Sequence, residues 1–582
     1  MKLSDFVVDF LATNNIRHVF EVCGGTITHL LDSLYKRKDI RAISMHHEQA
    51  AAYAAEGYAR CGSSVGVAMA TSGPGATNLI TGIASCFFDS IPCLFITGQV
   101  NTYEFKFASP IRQRGFQETD IVSMVRPVVK DAVLVREPIK IRYYLEKSLY
   151  LCTSGRPGPV LLDIPMNVQR ADIDLKAMPS FEGEIKSRSK TRFSHVLLGR
   201  IARLIASSSR PVILVGGGVR LSGAQNELLK LVNVTGIPVV TTLMGIDAFP
   251  HDAKEYAGMI GTYGNRYANL TTANADMLLV LGARLDTRQT GVMPETFSRG
   301  AKIVRVDIDS NELECNKVKA NISVNGDIRE FLSVLNGCVR DMNRPNFLLW
   351  KKRVAFYKKN YPCCNIERRL KIHPNYFFSK LSEYIPSNAI ICVDVGQHQM
   401  WAAQSLNIKN RQRFLTQGGM GSMGSSLAMA IGAAFCHPRQ DIFVITGDGG
   451  FQLNIQELQT IRHYKLPIKI IMLNNHCYGM VRQFQEQYFH SRFQSSVIGY
   501  SCPDFHRVIK AYQIPTVRIS RHAQLGSILR TLSKSKDSLF IEVDVDADTK
   551  VLPKLSMNRP IEDQDPLLSR KELKSNMFID IL

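Results

Sequence analysis

The chain has 582 residues, too many for one hydrophobic core, so several domains are expected. Hydrophobic residues make up 45% and charged residues 21%, a balance that excludes a disordered or fibrous protein. Lysine plus arginine outnumber aspartate plus glutamate by 71 to 51, and this net charge of +20 fits either anionic partners or a solvated basic surface. No Lys/Arg block interleaved with aromatic residues occurs, so nucleic-acid binding is not expected.

The chain enters through an amphipathic segment, KLSDFVVDFLATNNI, that lacks the apolar core of a secretion signal. Apolar runs such as 466–474 are too short to span a bilayer. The 13 cysteines are scattered without zinc-site spacing and read as reduced thiols, so a cytoplasmic protein without membrane association is predicted.

Short apolar runs bounded by Gly or Pro then alternate with helix-like stretches: VGVAMATSGPG, IPCLFITGQV, PVILVGGG, ADMLLVLGAR, IICVDVG, DIFVITGDGG and IKIIMLNN. Such runs are buried strands of parallel sheets covered on both faces, which predicts an α/β class with doubly wound domains. Charged stretches at about 170–195 and 337–372 divide the chain, although FLLWKKRVAFY in the second has the apolar content of a helix. The expected domains are 1–170, 190–335 and 370–550, followed by a polar tail, 551–582, with no readable role.

In the first domain Glu48 precedes a small-residue helix in HHEQAAAYAAEGYAR; alone, such a carboxylate most often marks a helix start. Ala50, Ala51 and Ala54 permit something to pack closely against that helix. In the middle domain, GGG at 216–218 after a strand suits a nucleotide, NAD or a tight turn.

The strongest signal lies in the third domain. Gly447-Asp448-Gly449-Gly450 follows one strand and Asn474-Asn475 ends another. A carboxylate and an amide at adjacent strand ends can ligate Mg²⁺, which prefers oxygen donors and keeps phosphates in its shell. The glycines admit a diphosphate, and a helix opening near Asn454 would aim its N-terminus at the anion.

Together these segments resemble the thiamine-diphosphate (ThDP) enzymes, and GGT at 24–26, HHEQAAAYAAEGYAR, ATSGPGATN at 70–78, GQHQMWAAQ at 396–404, QGGMGSMG at 417–424 and NIQELQT at 454–460 resemble the acetolactate synthase group among them. The resemblance implies that Asp448, Asn475 and the backbone oxygen of Cys477 hold Mg²⁺, with Gly449 and Gly450 beside the diphosphate. Gly396, Gln397 and His398 would contact it too. Met423 would sit beneath the cofactor and bend it, Gly421 would also contact it, and Pro74 and Asn78 would line the pyrimidine. Glu48 is implied as the catalytic carboxylate that shares a proton with the aminopyrimidine, activating the coenzyme. Gly25 and Gln117 would face the reacting carbons.

In the middle domain the resemblance implies FAD, spread over Gly216, Gly217, Leu243, Met244, Arg284 and Asp307. It also implies that the two halves of each active site come from different subunits, making a homodimer or homotetramer. The expected substrates are pyruvate and a ketone acceptor, lined by Thr26, Phe116, Arg288, Met480 and Phe484.

Some positions depart from the biosynthetic acetolactate synthases: Asn101 replaces Pro, Met166 replaces Lys, Phe484 replaces Trp and Thr26 replaces Ala, while NTYEFKFASPIRQRG at 101–115 is longer than its counterpart. The added Lys106, Arg112 and Arg114 suit a phosphate. This pattern resembles the carboligases of branched-sugar biosynthesis, whose acceptor is a nucleotide-diphosphate 4-keto sugar; an acetolactate synthase large subunit, with Arg288 holding an acceptor keto acid, is the alternative.

Overall fold

The computed structural model describes residues 1–62, 64–181, 193–340, 346–364 and 372–582. The two dividing stretches read from the sequence fall partly on 182–192, 341–345 and 365–371, which lie outside the described residues.

Each apolar run becomes a strand of one of three six-stranded, wholly parallel sheets. The first holds β1 (His18–Val22), β2 (Arg41–Ser44), β3 (Gly66–Ala70), β4 (Cys93–Gln99), β5 (Asp131–Leu134) and β6 (Val160–Pro165) in the order 2-1-3-4-6-5. The second holds β7 (Pro211–Val215), β8 (Val239–Thr241), β9 (Tyr256–Met259), β10 (Met277–Leu281), β11 (Lys302–Asp307) and β12 (Ile322–Asn325) in the order 12-11-10-7-8-9. The third holds β13 (Ile390–Val393), β14 (Arg413–Leu415), β15 (Ile442–Gly447), β16 (Ile468–Asn474), β17 (Thr516–Ile519) and β18 (Leu539–Asp544) in the order 14-13-15-16-18-17, repeating the topology of the first. Every residue of β4, β15 and β16 is buried, as helices on both faces require. One cation, Lys469, is tolerated within β16 because it pairs with Asp441.

The first and third domains lock together through the Glu48–Cys61 and Ser425–Cys436 helices. A Cβ on Gly57 would fall 2.2 Å from the Met429 carbonyl oxygen, and one on Gly432 would fall 1.9 Å from that of Ala54. Small residues, Ala54, Gly57 and Gly432 among them, therefore serve this backbone crossing. At the end of that helix the buried Arg60 binds Glu56 at 2.7 Å and Asp89 at 2.8 Å. Asp89 then accepts from the backbone N–H groups of Gly418 and Gly419, and Glu56 from Gln417. A first-domain charge cluster thus sets the QGGMGSMG loop of the third domain.

The Leu348–Asn360 helix is no free linker, since Trp350, Val354 and Tyr357 join the middle domain's core. Neither is the tail free. Its β19 (Lys554–Leu555) and β20 (Gln564–Asp565) form a small hairpin against the middle domain. Leu555 donates its N–H to the Thr262 oxygen at 2.7 Å, Gln564 donates to the Gly264 oxygen at 2.9 Å, and Ile561 and Leu573 enter the same core. Among the described residues no helix is long and apolar enough to cross a membrane.

Candidate active site

The ends of β13, β15 and β16 open into one recess in the third domain. Gly396, Gln397, His398, Met423, Asp448, Gly449, Gly450, Asn475, Cys477 and Met480 all line it, and every lining residue falls between Val395 and Val481. Sheet order explains the convergence: β13 and β15 are neighbours, as are β15 and β16, so their carboxyl ends and following turns share one edge.

Within this recess three oxygens face one another. Asn475 Oδ1 lies 3.0 Å from the Cys477 carbonyl oxygen and 3.3 Å from Asp448 Oδ1, while Asn475 Nδ2 donates to Gln397 at 2.9 Å. Turning the amide over would give its nitrogen two acceptors, but the orientation present gathers oxygens with no proton between them, an arrangement that a hard cation satisfies. The described residues contain no cluster of three His, Cys, Asp or Glu, because two of the three donors here are an amide and a carbonyl. Burial pushes the Asp448 carboxyl up to about 6, opposed by a 2.7 Å hydrogen bond from Tyr500 to its other oxygen. A bound cation would favour the ionised form of this carboxyl.

Beside the cluster, His398 is buried and burial pulls its imidazole down to about 3, so the ring is neutral. Its Nε2 has no hydrogen-bond partner among the described residues, an orphan that a phosphate oxygen or its bound water can satisfy. The donor set therefore fits Mg²⁺ and a diphosphate. The helix that follows the GDGG turn opens at Asp448 and not near Asn454 (Asp448–Gln452), because Gly447 is extended and Asp448 begins the first turn. A Cβ on Gly450 would sit 2.4 Å from Asp394 Oδ2, and Asp394 in turn accepts from the Gly424 N–H next to Met423. Gly450→Ala is expected to cost about 1–3 kcal/mol of stability and to weaken diphosphate binding, read from a denaturation midpoint and calorimetric titration.

The first domain carries the second half. Glu48 opens its helix, capped by His47, whose ring accepts from the Gln49 N–H at 3.1 Å. Asn78 Nδ2 donates to Glu48 Oε2 at 2.9 Å, and Gly75 leaves room over Oε1, where a Cβ would come to 3.3 Å. Pro74 starts the Pro74–Asn78 helix after Gly73, whose φ is 66°. Gln117 packs on Gly73 and is itself left-handed at φ 63°, a strained backbone, while Gly25 has open space where a Cβ would stand. Thr26 does not face this opening: its hydroxyl bonds Thr71 and accepts from the Ser72 N–H, so it holds the loop instead of presenting a group to substrate.

The residues expected to line the acceptor spread over three domains. Phe116 is 85% exposed and Phe484 42% exposed, while Arg288 is exposed with its guanidinium 6.0 Å from the Tyr263 ring. The loop at 101–115 closes on Glu118, whose carboxylate accepts from the backbone N–H groups of Lys106, Arg114 and Gly115. Lys106 is used within that loop, donating to the Ile111 oxygen, whereas Arg112 and Arg114 are exposed.

In the middle domain the strand order changes direction between β7 and β10, and their turns touch: a Cβ on Gly216 would meet the Gly282 oxygen. Gly217 faces Met244, which follows Leu243. Arg284 follows β10, and Asp307 ends β11 with its carboxyl raised by burial. A crevice at such a switch point is where α/β sheets take dinucleotides.

Comparison with known proteins agrees with this anatomy. Three family models match in order: the thiamine pyrophosphate enzyme N-terminal TPP binding domain over 1–124, the central domain over 198–335 and the C-terminal TPP binding domain over 394–543. The fold and site therefore define a thiamine-diphosphate enzyme. Relatives include the acetolactate synthase large subunits of Porphyra purpurea, 34% identical over 94% of this chain and 92% of that protein, and of Cyanidium caldarium, 36% identical over 94% of each. The chloroplastic acetolactate synthase of Arabidopsis thaliana is 36% identical over 95% of this chain and 82% of its own length. The chain belongs to the acetolactate synthase family of ThDP-dependent enzymes.

Proposed function

We propose that the protein decarboxylates pyruvate and joins the two-carbon fragment to a second keto acid, as an acetolactate synthase does. The observation that carries this reading is the oxygen cluster of Asp448, Asn475 and Cys477 in a chain that also keeps Glu48 hydrogen-bonded to Asn78. Asp448, Asn475 and the Cys477 oxygen would hold Mg²⁺, and His398 and Gln397 would hold the diphosphate. Bound ThDP would supply a nucleophilic carbon and a ring able to take up the electron pair left behind when CO₂ departs. Glu48 would hold a proton at the aminopyrimidine, Asn78 would orient that carboxylate, and Met423, which lines the recess, would pack against the bound group. Arg288 pairs with the acceptor's carboxylate.

Glu48 and Asp448 act in different copies of the chain in this reading, as a homodimer or a dimer of dimers. Supporting it, among the described residues none from the first domain lines the diphosphate recess, and Phe116, Leu453, Val481 and Phe484 expose apolar surface. FAD is the occupant proposed for the middle crevice, with Asp307 placed for a ribose.

A second reading, a larger acceptor such as a nucleotide-linked 4-keto sugar, is favoured by the exposed Arg112 and Arg114, by Met166 in place of a cation and by Phe484 in place of a larger ring. Mass spectrometry of products from pyruvate alone, and from pyruvate with keto-sugar nucleotides, separates the two. Rapid acetolactate formation from pyruvate alone is the expected result. Pyruvate consumption only when the sugar is present would replace this reading with the second.

A further inference from the structure

Lys554 holds an unusual place for a lysine. It lies in β19, on the tail, yet it is only 5% exposed. Its ammonium packs against one face of the Gly479–Tyr488 helix, 5.7 Å from the Phe484 ring and 5.4 Å from the Tyr488 ring, and donates to Gln487. Cation–ring contacts of this kind strengthen as water is excluded.

The backbone ties this lysine to Arg288. Leu555 donates its N–H to the Thr262 oxygen at 2.7 Å, and Thr262 donates its own to the Arg288 oxygen at 2.8 Å. Leu555 also packs on Gly291, where a Cβ would fall 2.9 Å from its side chain. Two hydrogen bonds therefore join the tail to the loop bearing Arg288. Burial lowers the Lys554 pKa, Asp565 opposes that and the Arg288 charge adds to it. The carboxylate of Asp565, the cross-strand partner of Lys554, accepts from Ser556 and Gln487. Two cations close enough to repel, beside a carboxylate already engaged by Ser556 and Gln487, make a place where an added anion is favoured.

We propose that Lys554 and Arg288 form a paired-cation wall beside Phe484 that anchors an anionic group of the acceptor, a carboxylate or a phosphate. The proposal rests on the acceptor-side assignment of Arg288 and Phe484 above. It gives the tail a role in choosing the acceptor.

The test compares acceptors in the ThDP- and Mg²⁺-loaded enzyme with pyruvate as donor: 2-ketobutyrate for a carboxylate, a keto-sugar nucleotide for a phosphate and a neutral cyclic 1,2-diketone as reference. Losing one charge-assisted contact predicts that Lys554→Met lowers the kcat/KM ratio of anionic to neutral acceptor by about tenfold, and that Lys554→Arg restores it. The arm whose ratio falls names the group. Should the Met variant fold poorly, Lys554→Gln keeps a polar group for Gln487 and is read the same way. An unchanged ratio in folded variants, or an equal loss with the neutral diketone, overturns the proposal. Absence of CO₂ release from pyruvate by the unmodified enzyme with any acceptor would instead overturn the underlying carboligase reading.

Discussion

Glu48→Gln is expected to lower turnover by about 10²–10⁴-fold, the range supplied by one positioned proton-transfer group, while ThDP and Mg²⁺ still bind. The reason is local. Asn78 Nδ2 donates to Glu48 Oε2, and a glutamine of the same shape can keep that contact through its own oxygen. The amide cannot carry the proton that the aminopyrimidine must exchange, so chemistry fails where binding survives. Steady-state rates together with calorimetric ThDP titration check this. Full activity in the variant would remove Glu48 from the catalytic role.

Asp448→Ala should behave in the opposite way, losing cofactor affinity before chemistry. Two of the three converging oxygens would remain, those of Asn475 and Cys477, both uncharged, so the only formal negative charge in the cluster would be gone. Outer-sphere partners of metal sites cost about 10–100-fold in affinity when removed, and a directly facing carboxylate is expected to exceed that. Titrating Mg²⁺ at fixed ThDP reads the loss, and excess Mg²⁺ should restore part of the activity. Tyr500 would lose its acceptor as well, since its hydroxyl bonds the other Asp448 oxygen.

The parallel sheets were legible because their strands are buried on both faces and read as unbroken apolar runs; β16 could still carry Lys469 only because Asp441 lies within reach. The cluster of facing oxygens was legible for a related reason. Asp448 and Asn475 end or follow adjacent strands, and sequence position at a strand end predicts spatial convergence.

Partners were harder to read than positions. Ala54 and Gly57 announce close packing, but a small face does not say what covers it, and the cover is the Ser425–Cys436 helix. Thr26 stands next to an open glycine, yet Thr71 and Ser72 capture its hydroxyl, a contact no local pattern marks. The tail read as polar, with no role legible, because its anchors are distant: Gln564 reaches Gly264, and Tyr357 donates to the Asn576 oxygen at 2.5 Å. Lys554 was invisible for the same reason.

The central claim is that Glu48 of one copy and Asp448 of another serve the same cofactor. Co-expressing the inactive Glu48→Gln and Asp448→Ala chains and isolating the mixed dimer tests it directly. In that dimer one site would carry both lesions and the other neither, so about half of the unmodified dimer's activity is expected. Activity no higher than that of either variant alone would contradict the account.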